Sequence, residues 1–135
     1  MGLCLHTRDR KYEMDMGAGS FYNLRCVIAD LLDPTFGTNY RNLTHCYTKQ
    51  DYAQHDAVAN SILARKNLNE NIVEFLYLPD MDGSISASTC KAISELVADY
   101  DDDNMYGYVY ANHTFKYFKE MLAYCVEHRR KLYWH

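Results

Sequence analysis

The chain has 135 residues, of which 48% are hydrophobic and 24% are charged, so it is long enough for one domain with a real core and too apolar to be disordered. Its formal net charge of -4 argues against nucleic acid as a partner, because phosphate backbones bind to basic surfaces. Segments 8–11 and 128–131 are the two places where a local basic patch is still expected.

The five cysteines predict a reducing compartment. Their number is odd, none forms a C-x-x-C pair, and most lie among apolar residues at helical spacing. No secretory hydrophobic segment follows Met1, and no run approaches the ~20 apolar residues of a membrane span. We therefore expect a cytoplasmic protein without a membrane partner.

The first third of the chain predicts a strand, a loop and a helix. Residues 2–7 alternate and favour a short strand, and the charged residues 8–13 favour a loop or hairpin arm. Asp15–Ser20 predicts a flexible loop that ends in a helix cap. The helix is expected over about 20–32, and Asp33-Pro34 is expected to end it.

Further helices follow a predicted turn at Thr35–Gly37. Asp51 and Asn69 are expected to cap two of them, Ser86 or Ser88 a third, and Thr114 the last. The spacing of apolar residues predicts helices over about 39–47, 52–66, 70–77, 87–99 and 115–128. Residues 105–110 favour a strand or an extended connector, and Lys131–Trp134 favours a closing strand.

These elements predict a single α+β domain over 1–135 that is predominantly α-helical. We expect five to six helices and a short antiparallel β-ribbon formed by the N- and C-terminal segments. The ribbon is expected because Trp134 otherwise lacks a place to be buried.

The segment Gly17-Ala18-Gly19-Ser20 is a candidate anion site. Backbone N–H groups at the start of a helix favour a phosphate, and Arg8, Arg10 and Arg25 lie near this segment in the sequence. The segment lacks the Lys-Ser/Thr of a Walker loop and is not a full dinucleotide fingerprint. A plain loop before a helix is the alternative interpretation.

Two acidic loops are weak candidates for a metal site. Asp80 and Asp82 stand where an EF-hand loop has its third and fifth positions, but Leu78 and Thr89 replace the first and last ligands. The second loop contains four aspartates: Asp99, Asp101, Asp102 and Asp103. A metal-dependent phosphoesterase would need both loops to meet in space, whereas solvated turns are the alternative.

Tyrosine is abundant, with 13 residues, and Tyr106 and Tyr108 belong to an alternating set. Tyrosine stacks on bases and is frequent at protein interfaces, although it also fills the edges of cores.

Cys125 and His128 have a spacing that allows contact on a helix, but no nucleophile motif surrounds them. We expect no enzyme activity and no cofactor.

Several segments resemble, in their order, a group of small proteins from phages and prophages of Gram-positive bacteria. The matching segments are 1–5, 15–17, 19–21, 24–25, 75–77, 82–86, 89–91, 99–103, 105–108 and 131–134. The resemblance implies a phage accessory protein in the bacterial cytoplasm, and such proteins often counter host defence. It implies no specific activity.

We expect a non-catalytic protein that binds and sequesters a nucleotide-type immune signal. Its phosphates would contact Gly17–Ser20 and the arginines, and its base would stack on tyrosine; such sites often form between subunits, so a homo-oligomer is compatible with this prediction. The alternatives are an inhibitor that binds a host defence protein directly, and the metal-dependent phosphoesterase.

Overall fold

The computed structural model describes residues 2–100 and 115–135. This part of the chain contains four strands and six α-helices, as predicted for a mainly helical α+β domain. The strands are β1 (Gly2–Thr7), β2 (Glu13–Gly17), β3 (Gly83–Ile85) and β4 (Leu132–Trp134). The helices are α1 (Ala18–Leu32), α2 (Pro34–Asn42), α3 (Lys49–Lys66), α4 (Glu70–Tyr77), α5 (Ala87–Val97) and α6 (Phe115–Glu127).

The expected ribbon between the two ends of the chain is confirmed. β1 pairs antiparallel with β4, with Leu5 opposite Trp134 and Thr7 opposite Leu132. Two further strands extend the ribbon into a four-stranded sheet in the order β2-β1-β4-β3. The sheet therefore holds both ends of the chain in its centre.

The prediction of a flexible loop at Asp15–Ser20 is wrong. Residues 13–17 form β2, in which the buried Met14 and Met16 alternate with exposed acidic side chains. This alternation places the two methionines against the helices, which a strand buried on one face requires. α1 then begins at Ala18, directly after the strand.

The turn predicted at Thr35–Gly37 is also wrong, because α2 begins there. The Asp33 carboxylate accepts a hydrogen bond from the Phe36 N–H at 2.8 Å and caps the helix, and Pro34 occupies its first turn. Proline is well suited to this position since its missing N–H has no helical partner there. The helix ends at Asn42, followed by a short 3₁₀ turn instead of reaching residue 47.

α3 begins earlier than predicted and has a different cap. The Thr48 hydroxyl accepts from the N–H of Asp51, and the Asp51 carboxylate accepts from the N–H of Thr48. This reciprocal pair is a capping box, so Asp51 lies inside the first turn.

The caps of the next two helices agree with the sequence analysis. The Asn69 side chain accepts from two N–H groups at the start of α4, and the Ser86 hydroxyl accepts from the N–H of Thr89 at the start of α5. The predicted cap Thr114 and the segment 105–110 lie outside the described residues.

Trp134 forms the centre of the core between sheet and helices. Its ring centroid lies 5.5 Å from that of Phe21 on α1 and 5.6 Å from that of Phe75 on α4. The indole N–H donates to the Pro79 carbonyl at 3.0 Å, which satisfies its only polar atom. Gly83 packs against the same ring, where a Cβ atom would lie 2.1 Å from the indole.

None of the described helices is both long and apolar enough to cross a membrane.

Candidate ligand-binding site

Two basic segments that are far apart in the sequence meet at one end of the sheet. Because Thr7 is paired with Leu132, the turn after β1 lies beside the turn before β4. Six of the 14 Lys and Arg residues of the chain lie in these turns, and all six are exposed. We call this surface the basic end; it consists of Arg8, Arg10, Lys11, Arg129, Arg130 and Lys131.

A hydrogen-bonded carboxylate holds the two turns of the basic end together. Asp9 accepts hydrogen bonds from the Tyr124 hydroxyl, from the Thr7 hydroxyl at 2.7 Å and from the Lys11 N–H at 3.2 Å. Arg130 Nη1 lies 3.7 Å from the same carboxylate. These donors hold the pKa of Asp9 well below its usual range, with the Tyr124 hydroxyl as the largest cause.

Of the six cations at the basic end, four form no ion pair with a described carboxylate; one of these, Lys11, lies over the Tyr124 ring. Arg10 bonds to Glu13 at 2.9 Å, and Arg130 faces Asp9. Among the described residues, no carboxylate forms an ion pair with Arg8, Arg129 or Lys131, and these positive charges face solvent.

Aromatic rings flank these cations. The Tyr12 ring lies 5.2 Å from that of Tyr124 and 5.6 Å from that of Tyr117, so the turn after β1 packs on α6. Lys11 Nζ lies 5.3 Å from the Tyr124 ring centroid, and the exposed His128 ring lies 4.4 Å from it. The basic end thus combines positive charge with flat apolar surface.

The structure separates the residues that the sequence grouped into one anion site. Gly17 is opposite Gly2, whereas His6 at the other end of β1 is opposite Glu13. Gly17 therefore lies four or more residues from the basic end along β1, about 13 Å or more, and Gly19 and Ser20 follow it at the start of α1. Arg8 and Arg10 belong to the basic end, and Ser20 is buried. Tyr106 and Tyr108 lie outside the described residues.

Arg25, the third predicted arginine ligand, is a core residue. Its guanidinium carbon lies 4.2 Å from the Phe21 ring centroid and 5.2 Å from that of Phe75. Nη1 donates to the Leu78 carbonyl at 2.7 Å and lies 3.4 Å from the Asp80 carboxylate. Nε and Nη2 are buried without a hydrogen-bond partner, and burial lowers the pKa of the guanidinium. With only 3% of its surface exposed, Arg25 does not reach a surface ligand in this conformation.

Only the first of the two acidic loops lies entirely within the described residues. Asp80 faces Arg25, and Asp82 takes a left-handed backbone conformation with φ 52° just before β3. Asp101 and Asp102 lie outside the described residues. In residues 2–100 and 115–135, no group of three or more His, Cys, Asp or Glu side chains is arranged to hold a metal ion.

The face of the sheet opposite the core carries polar side chains in register. Cys4 and His135 are paired by two backbone hydrogen bonds of 2.8 and 3.2 Å, and His6 is opposite Tyr133. The two histidines touch across the strands, with His6 Nε2 3.0 Å from His135 Nδ1. An open cavity of about 390 Å³ lies beside them.

The cysteines on and near these elements are either buried or have a raised pKa, although the hydrogen bond with Cys90 lowers the pKa of the buried Cys125. Burial and the neighbouring Asp15 carboxylate raise the pKa of the Cys4 thiol. Cys125 is fully buried beside Cys90, whose pKa is raised by the hydrogen bond between them and by burial. The exposed His128 contacts Tyr124, and the Cys125 thiol donates to the Lys131 carbonyl at 3.8 Å.

Both basic segments are recognisable in the sequence, but local patterns do not indicate that they form one surface. The convergence follows from the predicted ribbon, because pairing 2–7 with 131–134 brings residues 8–11 beside residues 128–131. The contact between His6 and His135 was missed. Its signal was the alternation in both strands, which places each histidine on the polar face.

Comparison with protein-family models, with curated proteins and with solved structures gives no match to this chain.

Proposed function

We propose that the chain is a non-catalytic binding protein that sequesters a phosphate-bearing, nucleotide-type ligand at the basic end. The observation that carries this proposal is the convergence of six cations on one end of a chain whose net charge is -4. The six like charges lie close together although they repel one another. A bound anion would offset this repulsion.

The chemistry of the side chains fits phosphate groups. Arginine presents planar, paired N–H donors that match phosphate oxygens, and lysine adds a mobile point charge. Arg8, Arg129 and Lys131 have no carboxylate partner among the described residues, so a ligand would not have to break an ion pair to reach them.

The aromatic neighbours suit the rest of a nucleotide. Tyr124 and His128 offer ring faces within reach of the same cations. Base-on-ring stacking contributes about 1–3 kcal/mol and tolerates different bases. In the phage setting that the sequence resemblance implies, the ligand would be an immune signal of the host.

The proposal is tested by incubating the protein with a panel of cyclic and ADP-ribose-type nucleotides, removing free ligand, and releasing bound ligand by heat for chromatography. Sequestration predicts that at least one nucleotide is recovered intact. Recovery of an altered nucleotide would contradict a non-catalytic role and support the phosphoesterase alternative. If no nucleotide is retained, the proposal fails and the inhibitor of a defence protein becomes the better hypothesis.

A pair of matched double variants localises the binding. R8Q/K131Q removes two positive charges from the basic end, and R65Q/K66Q removes two from the exposed end of α3. Only the first variant is expected to lose the ligand.

A further inference from the structure

We propose that His6 and His135 form a two-imidazole site for a divalent transition-metal ion of octahedral or tetragonal preference, such as Ni²⁺ or Cu²⁺. The site lies on the polar face of the sheet and is independent of the basic end.

The ring nitrogens have the right separation for two neighbouring ligands. His6 Nε2 and His135 Nδ1 are 3.0 Å apart. With metal–nitrogen bonds of about 2.0–2.1 Å, this separation corresponds to an angle of about 90° at the metal. Neighbouring ligands in octahedral and square-planar complexes subtend this angle, and imidazole suits Ni²⁺ and Cu²⁺.

The hydrogen bond of His6 to a backbone carbonyl favours the tautomer that a metal ligand needs. Its Nδ1 lies 2.9 Å from the Thr7 carbonyl oxygen, which can only accept, so Nδ1 carries the proton. In the neutral ring the lone pair then lies on Nε2, the atom that faces His135. A backbone carbonyl that fixes the tautomer of a histidine ligand in this way is a usual feature around protein-bound metals.

Metal binding at this pair needs no net loss of protons from the neutral rings. In the metal-free protein, His135 Nδ1–H donates to His6 Nε2, because the His6 lone pair accepts. When a metal binds, His135 moves this proton to its own Nε2, and both facing nitrogens give their lone pairs to the ion. The two rings are T-shaped, with an interplanar angle of 79°, and both line the open cavity beside them.

The surroundings supply rigidity and room for water ligands. His6 is only 8% exposed, and the Tyr133 ring stacks on it with centroids 5.7 Å apart. The cavity of about 390 Å³ is also lined by Asp82 and Ser84, whose oxygen atoms can bond to water molecules on the ion.

The test is calorimetric titration of the full chain with Ni²⁺, using H135A as the main variant because His135 is exposed and its loss should not disturb the core. We expect one ion per chain for the wild type and an affinity at least about tenfold lower for H135A. The matched control is H45A, which removes an exposed histidine elsewhere and should bind like the wild type.

A second measurement tests whether both imidazole rings coordinate the ion. Electron paramagnetic resonance of one equivalent of Cu²⁺ should show two coordinated imidazole nitrogens in the wild type and fewer in H135A. Equal Ni²⁺ affinity in wild type and H135A would overturn the proposal, as would the absence of a wild-type Ni²⁺ isotherm. Loss of nucleotide binding in R8Q/K131Q would leave this result unchanged, so the two proposals are tested separately.

Discussion

Thr7 on β1 is paired with Leu132 on β4, and this one register contact brings the two basic turns of the chain together. The residues that follow Thr7 and those that precede Leu132 include all six cations of the basic end. The geometry of the basic end therefore depends on the pairing of the two ends of the chain.

Asp9 should make stability depend on acid pH. The pKa of Asp9 is depressed in the folded chain, so its contribution to stability is present above the unfolded pKa of about 3.9 and is lost as pH falls towards the folded pKa. We expect D9N to be less stable than wild type at pH 7, with a difference that shrinks by pH 3.

Urea unfolding at both pH values measures this effect, with E95Q on the exposed side of α5 as the control. A D9N deficit that stays the same at pH 3 would contradict the assigned role of the ionised carboxylate.

Arg25 should act through its packing more than through its charge. Its stem and guanidinium fill space between aromatic rings, and Asp80 is mostly exposed, so removing the cation does not strand a buried anion. We expect R25A to lose about 2–5 kcal/mol of unfolding free energy and R25M to lose clearly less. Denaturant titration measures the unfolding free energy of both variants. Equal losses would show that Arg25 stabilises the fold mainly through its charge.

The glycines at positions 37 and 19 should respond to alanine in opposite ways. A Cβ atom on Gly37 would lie 2.8 Å from the Asp30 Cα, so G37A must push α2 away from α1. A Cβ atom on Gly19 would meet no atom within 4 Å. We expect G37A to lose at least about 1–3 kcal/mol and G19A to gain up to about 1 kcal/mol. Thermal unfolding compares the two, and a stable G37A would contradict the close approach of these helices.

The cysteines should differ in their reactivity. Cys26, Cys90 and Cys125 are buried, and burial raises the pKa of the Cys26 thiol. Cys4 is partly accessible, but burial and Asp15 raise its pKa. We expect iodoacetamide to modify Cys46 first, as read by mass spectrometry of the native protein. Early modification of Cys90 or Cys125 would show that the contact between α5 and α6 opens readily.

The local signals of this sequence predicted most of the helices. The helix at 70–77 and its Asn69 cap follow directly from periodicity and capping chemistry. The turn predicted after Asp33-Pro34 is wrong because the same two residues that follow the end of α1 also begin α2. β2 was missed since Asp15 and Gly17 are residue types typical of loops, and only pairing with β1 turns Met14 and Met16 inward.

The candidate site depended more on long-range contacts. Gly17, Gly19 and Arg25 were grouped by closeness in sequence, but a strand carries Gly17 away from the basic turn, and the helix turns Arg25 into the core. Strand alternation places His6 and His135 on the polar face, but their contact joins two segments far apart in the sequence and depends on the pairing of β1 with β4.

The most direct test of a ligand site at the basic end is calorimetric titration of the nucleotide panel into wild type, R8Q/K131Q and R65Q/K66Q. We expect at least one nucleotide to bind wild type and R65Q/K66Q with the same affinity. The same nucleotide should bind R8Q/K131Q at least about tenfold more weakly, since each lost charged hydrogen bond costs about 1.5–3 kcal/mol. Equal affinity for wild type and R8Q/K131Q would contradict a ligand site at the basic end.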